Sequence, residues 1–230
     1  MDPERPNALV PGMREEMRSH HQFALAGVGA ALLSNYWVLE SLLARRIDPS
    51  DSWISDLGAR SEVLGWRFQL LAIVAGLAIA AFALLLLRRL GALSPTIRRG
   101  VLALLATGLL AAIGGVPLSC AEGLEASCSL EYDPFDLIHA TANLAEIATT
   151  ALAFGAIGIG LSRLAPQRRG GRLTLAIGTL WILLTALTGG SYLSTDLDSV
   201  KGIVQRADQL LFGAWLILLG LWAPTWRSMA

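Results

Sequence analysis

The sequence predicts an all-α integral membrane protein, a bundle of six transmembrane helices with both termini in the cytoplasm. Of its 230 residues, 54% are hydrophobic and 16% are charged, whereas a soluble domain carries about 25% charged residues. The mean hydropathy is +0.55, and apolar runs of about 20 residues, long enough to cross a bilayer, recur along the chain. The first 20 residues lack the apolar core of a signal peptide, so the first span is expected to remain in the membrane.

Prolines and polar loops set the predicted limits of the spans. Pro3, Pro6 and Pro11 make the N-terminal segment a poor helix until about Met13. We therefore expect a cytoplasmic tail at 1–21 and a transmembrane domain at 22–228. The six spans are predicted at about 22–43, 64–87, 98–116, 135–162, 173–193 and 204–221.

Arginine distribution predicts the orientation, because loops rich in Lys and Arg stay in the cytoplasm. With six spans, both termini lie on one side, and that side holds twelve of the 18 basic residues. The other side holds six basic residues and most of the acidic loop residues. Lys201 is the only lysine. This preference for Arg, together with abundant Ala, Leu and Gly, indicates a bacterial source and therefore the bacterial inner membrane.

The fourth span carries a polar stripe in its first half. Asp136, His139, Asn143 and Glu146 are spaced three, four and three residues apart, which places them on one face of a helix. A charged side chain near mid-membrane costs at least about 2.5–3.5 kcal/mol when it is left in lipid. We therefore expect this stripe to face protein or water, with the other helices packed around it.

Three other spans place polar groups at a similar depth, in the half of the bundle nearest the outer face. The inner halves of the spans are almost entirely Leu, Ala, Ile and Gly. This pattern predicts an outward-facing polar cavity in the outer leaflet or a buried ionic network. The candidate ligand-binding residues on this basis are Glu40, Asp136, His139, Asn143, Glu146, Gln205, Arg206 and Asp208.

His139 is the only histidine outside the N-terminal segment, and Asp136 lies one turn before it. Three interpretations stay open: acid–base chemistry with His139 and Asp136 as candidate catalytic residues, a metal site, or a histidine that braces the bundle. Tight zinc sites usually contain two or more His or Cys ligands, so no metal and no other cofactor is predicted. Glu146 either forms an ion pair with Arg206 or lines a ligand cavity.

Both cysteines, Cys120 and Cys128, lie in the predicted outer loop between the third and fourth spans. An oxidising environment there favours a disulfide that closes a small loop. Other chemistries lack their motifs, since the chain has no Walker loop, no dinucleotide fingerprint and no Gly-x-Ser-x-Gly elbow. The formal net charge is zero, which gives no basic field for nucleic acid.

Three short motifs carry a family resemblance: DSWISDLGA at 51–59, DPFDLIH at 133–139 and GIVQR at 202–206. With the six-span layout, they resemble the DUF998 family of small prokaryotic membrane proteins. That family is distantly similar to the Frag1/DRAM/Sfk1 membrane proteins, some of which are linked to lipid handling. The resemblance implies a shared outer-face site and no defined activity. The residues that it implies are Asp56, Asp136, His139, Gln205 and Arg206.

The sequence favours a membrane protein that binds a lipid head group or another small polar ligand in an outer-leaflet cavity. One alternative is a structural or accessory subunit of a membrane complex. The other is an intramembrane lipid hydrolase, with or without a metal. The expected partners are membrane lipids and a possible membrane protein, and nucleic acid is excluded.

Overall fold

The computed structural model describes residues 11–39, 47–119, 133–191 and 199–223, and this part of the chain contains six α-helices. Five of them are long and apolar enough to cross a membrane, so the chain is a multi-pass membrane protein by helix length and hydropathy. The helices are α1 (Pro11–Ser34), α2 (Gly65–Leu90), α3 (Pro95–Gly114), α4 (Pro134–Ser162), α5 (Arg168–Gly190) and α6 (Lys201–Trp222).

Helix α1 differs from its predicted span at both ends and is not one of the five apolar spans. It begins at Pro11, ahead of the span predicted from about residue 22, and the cytoplasmic location of residues 1–21 stays a prediction. The physical reason is that proline is favourable in the first helical turn, where its missing N–H would have no partner. The helix ends at Ser34, before the predicted limit of 43. There the Asn35 side chain donates to the Ala31 carbonyl at 2.8 Å, and a 3₁₀ turn, Tyr36–Leu39, follows.

The remaining boundaries lie within a few residues of their predicted positions, except at the start of α5. The basic stretch at 168–172, predicted as a link, forms the beginning of that helix. Arginine is a good helix former, and the 3₁₀ turn Ala165–Gln167 leads directly into the helix. Helix α3 begins with a serine cap, because the Ser94 hydroxyl oxygen accepts the Ile97 N–H at 3.1 Å.

The six helices form a closed ring in chain order. Each packs on the helices before and after it, and α6 packs on α1. In each pair of neighbouring helices, later residues of one helix contact earlier residues of the other, so the two helices are antiparallel. We call the end of the ring that carries 47–64 and 115–119 the cap end. The end that carries 91–94 and 163–167 is the opposite end.

Glycines allow close approach between neighbouring helices, as is common where membrane helices cross. On α2 and α3, a Cβ added to Gly76 would lie 2.6 Å from the Gly108 carbonyl oxygen. The reverse contact, from a Cβ on Gly108 to the Gly76 oxygen, would be 2.7 Å. On α1, a Cβ on Gly27 would lie 2.7 Å from the Leu216 oxygen of α6. The backbones therefore pack without intervening side chains at these crossings.

An aromatic cluster made of Phe154, Trp181, Phe212 and Trp215 lies in the bundle core, and all four side chains are buried. The rings of Phe154 and Trp215 have centroids 4.1 Å apart, and those of Phe154 and Trp181 are 5.7 Å apart. Offset and tilted ring packing of this kind is favourable. The cluster joins α4, α5 and α6, and it limits how far any polar group can extend inward from the cap end.

Candidate functional site

Two of the sequence motifs, DSWISDLGA and GIVQR, pack on each other at the cap end. The Gly202 N–H donates to the Ser50 carbonyl at 2.9 Å. A Cβ at position 202 would lie 2.6 Å from the Ser52 oxygen and would also clash with the Pro49 oxygen. Only glycine permits this approach, so the motif residue has a steric role.

Gln205 and Arg206 use their side chains to hold the same loop. The Gln205 Oε1 accepts the Ile54 N–H at 2.7 Å. The Arg206 Nη1 donates to the Ser52 carbonyl at 2.9 Å and to the Gly202 carbonyl at 3.0 Å. Arg206 is only 6% exposed. These bonds replace water at backbone groups that the packing buries, so they fasten the loop to the start of α6.

Asp56 closes the 3₁₀ turn Ile54–Gly58 within this loop. Its Oδ2 accepts the Trp53 N–H at 2.8 Å, and the residue is 1% exposed. From α2, the Gln69 side chain donates to the Gly58 carbonyl at 2.7 Å. The Lys201 Nζ lies 5.2 Å from the centre of the Trp53 ring, a cation–π geometry. We call residues 47–59 the cap loop.

The cap loop also contains an exposed Asx-type turn. Asp48 Oδ1 accepts the Ser50 N–H at 2.9 Å and the Ser50 hydroxyl at 2.7 Å. These two hydrogen bonds to the carboxylate lower the pKa of Asp48 below its ordinary value. The turn shapes the part of the loop that accepts the Gly202 N–H.

The third motif joins the segment after α3 to the start of α4. Both carboxylate oxygens of Asp136 accept from Ser119, at 2.8 Å from its N–H and 2.5 Å from its hydroxyl. Asp133 forms an ion pair with Arg60 at 2.9 Å, and the Arg60 N–H donates to the Leu118 carbonyl at 2.9 Å. The hydrogen bonds of Asp136 are those of a residue that fixes a loop.

His139 lies at the contact between α3 and α4. Its Nε2 is 2.8 Å from the Asn143 amide nitrogen, and the backbone of Gly114 and Val116 lies beside the ring. Within the described part of the chain, no three His, Cys, Asp or Glu residues form a group that could hold a metal. The geometry here resembles a brace between two helices.

Two carboxylates from different helices lie in the half of the bundle nearest the cap end, Glu146 on α4 and Asp208 on α6. They lie within electrostatic range of each other. Tyr36, just after α1, interacts with Glu146 in the same way. The Thr185 hydroxyl of α5 donates to Asp208 Oδ2 at 3.2 Å. Asp208 is 5% exposed and Glu146 is partly exposed. We call Glu146 and Asp208 the acid pair.

One carboxylate oxygen of the acid pair lacks a hydrogen-bond partner among the described residues. This oxygen is Asp208 Oδ1, which is buried. Of the two alternatives for Glu146, the ion pair with Arg206 is not found in the described ranges, where Arg60 pairs with Asp133. Arg206 instead directs its Nη1 to backbone carbonyls of the cap loop and α6. An acceptor-only group left without a donor in the interior is unfavourable.

The structure divides the predicted site residues into four groups. Asp56, Gln205 and Arg206 hold the cap loop, and Asp136 fixes the segment after α3. His139 and Asn143 brace α3 against α4, and Glu146 and Asp208 form the acid pair. Thr185 and Tyr36 were missed, although both are polar residues near the outer ends of their predicted spans. Glu40, Cys120 and Cys128, and with them the predicted disulfide, lie outside the described residues.

A pocket of about 460 Å³ lies at the opposite end, where α2 turns into α3, and is distant from all these groups. Its lining includes Ser94, which caps α3, and two arginines at the start of that helix. Every other position in the lining belongs to the turn or to the same helix. The lining residues are Gly91, Ala92, Ser94, Pro95, Arg98, Arg99 and Leu102.

These features define a class first: a multi-pass membrane protein in which six helices pack as a ring in chain order and a loop packs on the start of α6 at one end. The chain belongs to the DUF998 family, described as a protein of unknown function, whose model matches residues 25–222. The membership expected from the three motifs is therefore confirmed. No curated protein and no solved structure matches the chain.

Proposed function

We propose that this protein binds the polar head group of a membrane lipid at the acid pair, in the half of the bundle beneath the cap loop. One observation carries the proposal. Asp208 is 5% exposed and its Oδ1 has no hydrogen-bond partner among the described residues, and neither Asp208 nor Glu146 forms an ion pair in the described ranges. Buried carboxylates are costly unless something compensates their charge or hydrogen-bonding capacity, and a bound polar group supplies that compensation.

The surroundings of the acid pair support the same proposal. Glu146 keeps part of its surface exposed, although groups from α6 and from the segment after α1 approach it. Below the pair, the aromatic cluster fills the core. A ligand at this position is limited in depth and stays near one face of the membrane.

The distribution of charge supports an orientation with the cap end outside the cytoplasm. Arginines of the described helices concentrate at the opposite end, as the positive-inside rule requires for a cytoplasmic face. Under this orientation the acid pair lies in the outer leaflet of a bacterial inner membrane. The arginines at the opposite end are Arg88, Arg89, Arg98, Arg99, Arg163, Arg168, Arg169 and Arg172.

The hydrolase alternative has less support from the geometry. Both oxygens of Asp136 are engaged by Ser119, and His139 contacts Asn143 and the backbone of α3. Both candidate catalytic residues are therefore held by neighbouring side chains and backbone. The accessory-subunit alternative stays a prediction, supported if a partner is still bound after Glu146 and Asp208 are both neutralised.

Native mass spectrometry of the protein released from its own membranes tests the proposed function. Wild-type protein is expected to retain lipid, and Glu146→Gln and Asp208→Asn are expected to retain much less. Asp51→Asn is the matched control, because Asp51 is an exposed carboxylate of the cap loop. Equal lipid retention by all four proteins, each folded and monodisperse, would contradict the proposal.

A further inference from the structure

We infer that the cavity at the opposite end is a second binding site, which takes the phosphate of an anionic phospholipid head group. This site is separate from the acid pair and does not depend on the proposed function. Phosphate chemistry has two sources, a phospholipid and free inorganic phosphate, and the surface beside the cavity favours the lipid. The inference depends on the volume of the cavity, on the charge of its lining and on the apolar face that continues from it along α3.

The cavity has room for a head group and carries two positive charges. It lies where the turn 91–94 leads from α2 into α3, and its volume is about 460 Å³. Pockets that hold small ligands usually measure about 300–1,000 Å³. Gly91 and Ala92 line one part of the cavity and have almost no side chain to fill it. From α3, Arg98 and Arg99 line it, and both are exposed residues.

Neighbouring helices do not compensate the charge of this lining. Helices α2 and α3 contain no Asp or Glu. On α4, the part beside the start of α3 is 147–162, where Gly160 meets Ile97, and it contains none either. Arg98 and Arg99 form no ion pair in the described ranges. Guanidinium groups one residue apart repel each other, whereas a phosphate accepts paired hydrogen bonds from such groups. The lining therefore favours an oxyanion.

Ser94 adds a hydroxyl to the lining of the cavity. Its oxygen accepts the Ile97 N–H at 3.1 Å, so the hydroxyl hydrogen is available to donate to a ligand oxygen. The Ser94 carbonyl accepts the next amide of the helix, that of Arg98, at 3.0 Å. Because these bonds already use two backbone N–H groups at the start of α3, recognition of an anion depends on the side chains of the lining.

An apolar face of α3 continues from the cavity toward the middle of the bundle. Leu102 lines the cavity, and Leu102, Leu109 and Ile113 are all exposed. Their spacing places them on the same side of the helix as Arg98. From Arg98 to Ile113 this face is about 22 Å long, which exceeds the roughly 15 Å of hydrocarbon in one leaflet. A phospholipid matches both the charged cavity and the apolar face, whereas free phosphate matches the cavity alone.

The test uses the full-length protein in nanodiscs that contain equal amounts of phosphatidylglycerol and phosphatidylcholine. Lipid that stays bound after transfer to detergent is counted by native mass spectrometry. Both lipids carry a phosphate, but only phosphatidylglycerol has a net negative charge. Wild-type protein is expected to retain phosphatidylglycerol about tenfold or more over phosphatidylcholine, because two arginines near a membrane surface favour an anionic lipid by about this factor. Equal retention of the two lipids by the wild type would overturn the inference.

Two double variants show whether the preference belongs to the cavity. Arg98→Gln with Arg99→Gln should reduce it to about twofold or less. The matched control is Arg168→Gln with Arg169→Gln, which removes two consecutive exposed arginines from the start of α5, outside the cavity lining. The control should keep most of the preference. An equal loss in both double variants would assign the preference to the general charge of the opposite end and overturn the site.

A steric variant makes the test independent of charge and of the folding of the arginine variant. Ala92 is an exposed turn residue that lines the cavity, so Ala92→Trp reduces the space available to a head group and leaves every arginine in place. This variant should also reduce the retention of phosphatidylglycerol. Retention at the wild-type level would show that the lipid does not occupy the cavity.

Inorganic phosphate, added to the protein in nanodiscs of phosphatidylcholine alone, distinguishes the two sources. If a lipid is the ligand, phosphate has little effect on the thermal midpoint of the wild type. A rise of the midpoint that is absent in Arg98→Gln with Arg99→Gln, without selective retention of phosphatidylglycerol, would assign the cavity to free phosphate and overturn the lipid.

Glu146→Gln separates this inference from the proposed function. The preference for phosphatidylglycerol should persist in that variant, because Glu146 lies in the other half of the bundle. Loss of the preference in Glu146→Gln, together with its persistence in Arg98→Gln with Arg99→Gln, would overturn the cavity site and leave the proposed function standing.

Discussion

At the residue scale, Gly202 shows how a motif that looks like part of a ligand site can serve the fold. Its N–H bonds to Ser50, and its Cα faces the carbonyl oxygens of Pro49 and Ser52. The sequence alone indicated that this motif belonged to the outer-face site. It could not show that backbone carbonyls pack against Gly202, because a close contact between segments far apart in the sequence produces no periodic pattern of residues.

Gly202→Ala is expected to destabilise the protein by about 1–3 kcal/mol, because the added methyl group overpacks a contact with little room to relax. Gly29→Ala is the matched control, since a Cβ at Gly29 has nothing within 4 Å and alanine is the better helix former. Thermal unfolding in one detergent measures both. A midpoint for Gly202→Ala equal to or above that of Gly29→Ala would contradict the steric role.

The acid pair gives a second lesson at the residue scale. The sequence predicted that Glu146 and Asp208 lie at similar depth, and it left open whether Glu146 pairs with Arg206 or lines a cavity. Hydropathy and spacing give the depth of a side chain along its helix. They do not give the direction of a side chain relative to another helix. The structure was therefore needed to show whether Arg206 contacts a carboxylate or backbone carbonyls.

At the scale of elements, the spans from α2 to α6 were predictable because each is a long apolar run with a proline, glycine or arginine boundary. Helix α1 was the exception. Its first half is polar, so hydropathy placed its start late, and Asn35 ends it before the apolar pattern does. Capping chemistry determined both ends of this helix, and hydropathy did not report it.

The cap loop is expected to depend on one side chain of α6. Gln205→Ala removes the acceptor of the Ile54 N–H and should speed hydrogen exchange of that amide roughly two- to tenfold, the range for loss of one net hydrogen bond. Gln209→Ala, one turn further along the same helix, should leave the exchange unchanged. Equal exchange rates in the two variants would show that Gln205 does not hold the loop.

At the scale of the whole molecule, the closed ring explains why groups from α4, α5 and α6 reach one interior position. The sequence predicted convergence at one depth but treated all of the polar residues as one site. The ring instead separates the acid pair from the cap loop and from the contact of His139 with α3. In the closed ring each helix contacts two particular helices. The hydropathy pattern of a single span does not specify which helices these are.

Orientation is predicted to place the cap end outside the cytoplasm. In a background with Cys120 and Cys128 replaced by serine, Asp51→Cys should react in intact cells with a membrane-impermeant maleimide. Ala92→Cys, exposed at the opposite end, should react only after the membrane is opened. The reverse labelling pattern would invert the orientation and move the acid pair to the inner leaflet.

Cross-linking of Glu146→Cys with Asp208→Cys by a short bis-maleimide, in the same serine background, tests most directly whether α4 and α6 bring these two side chains toward each other inside the ring. The matched control joins Asp208→Cys to Leu144→Cys, because Leu144 is 69% exposed and lies on the outer face of α4. The reagent should link the first pair rapidly and leave the control unlinked. Equal linking of the two pairs, or linking of the control alone, would contradict the acid pair and the binding site built on it.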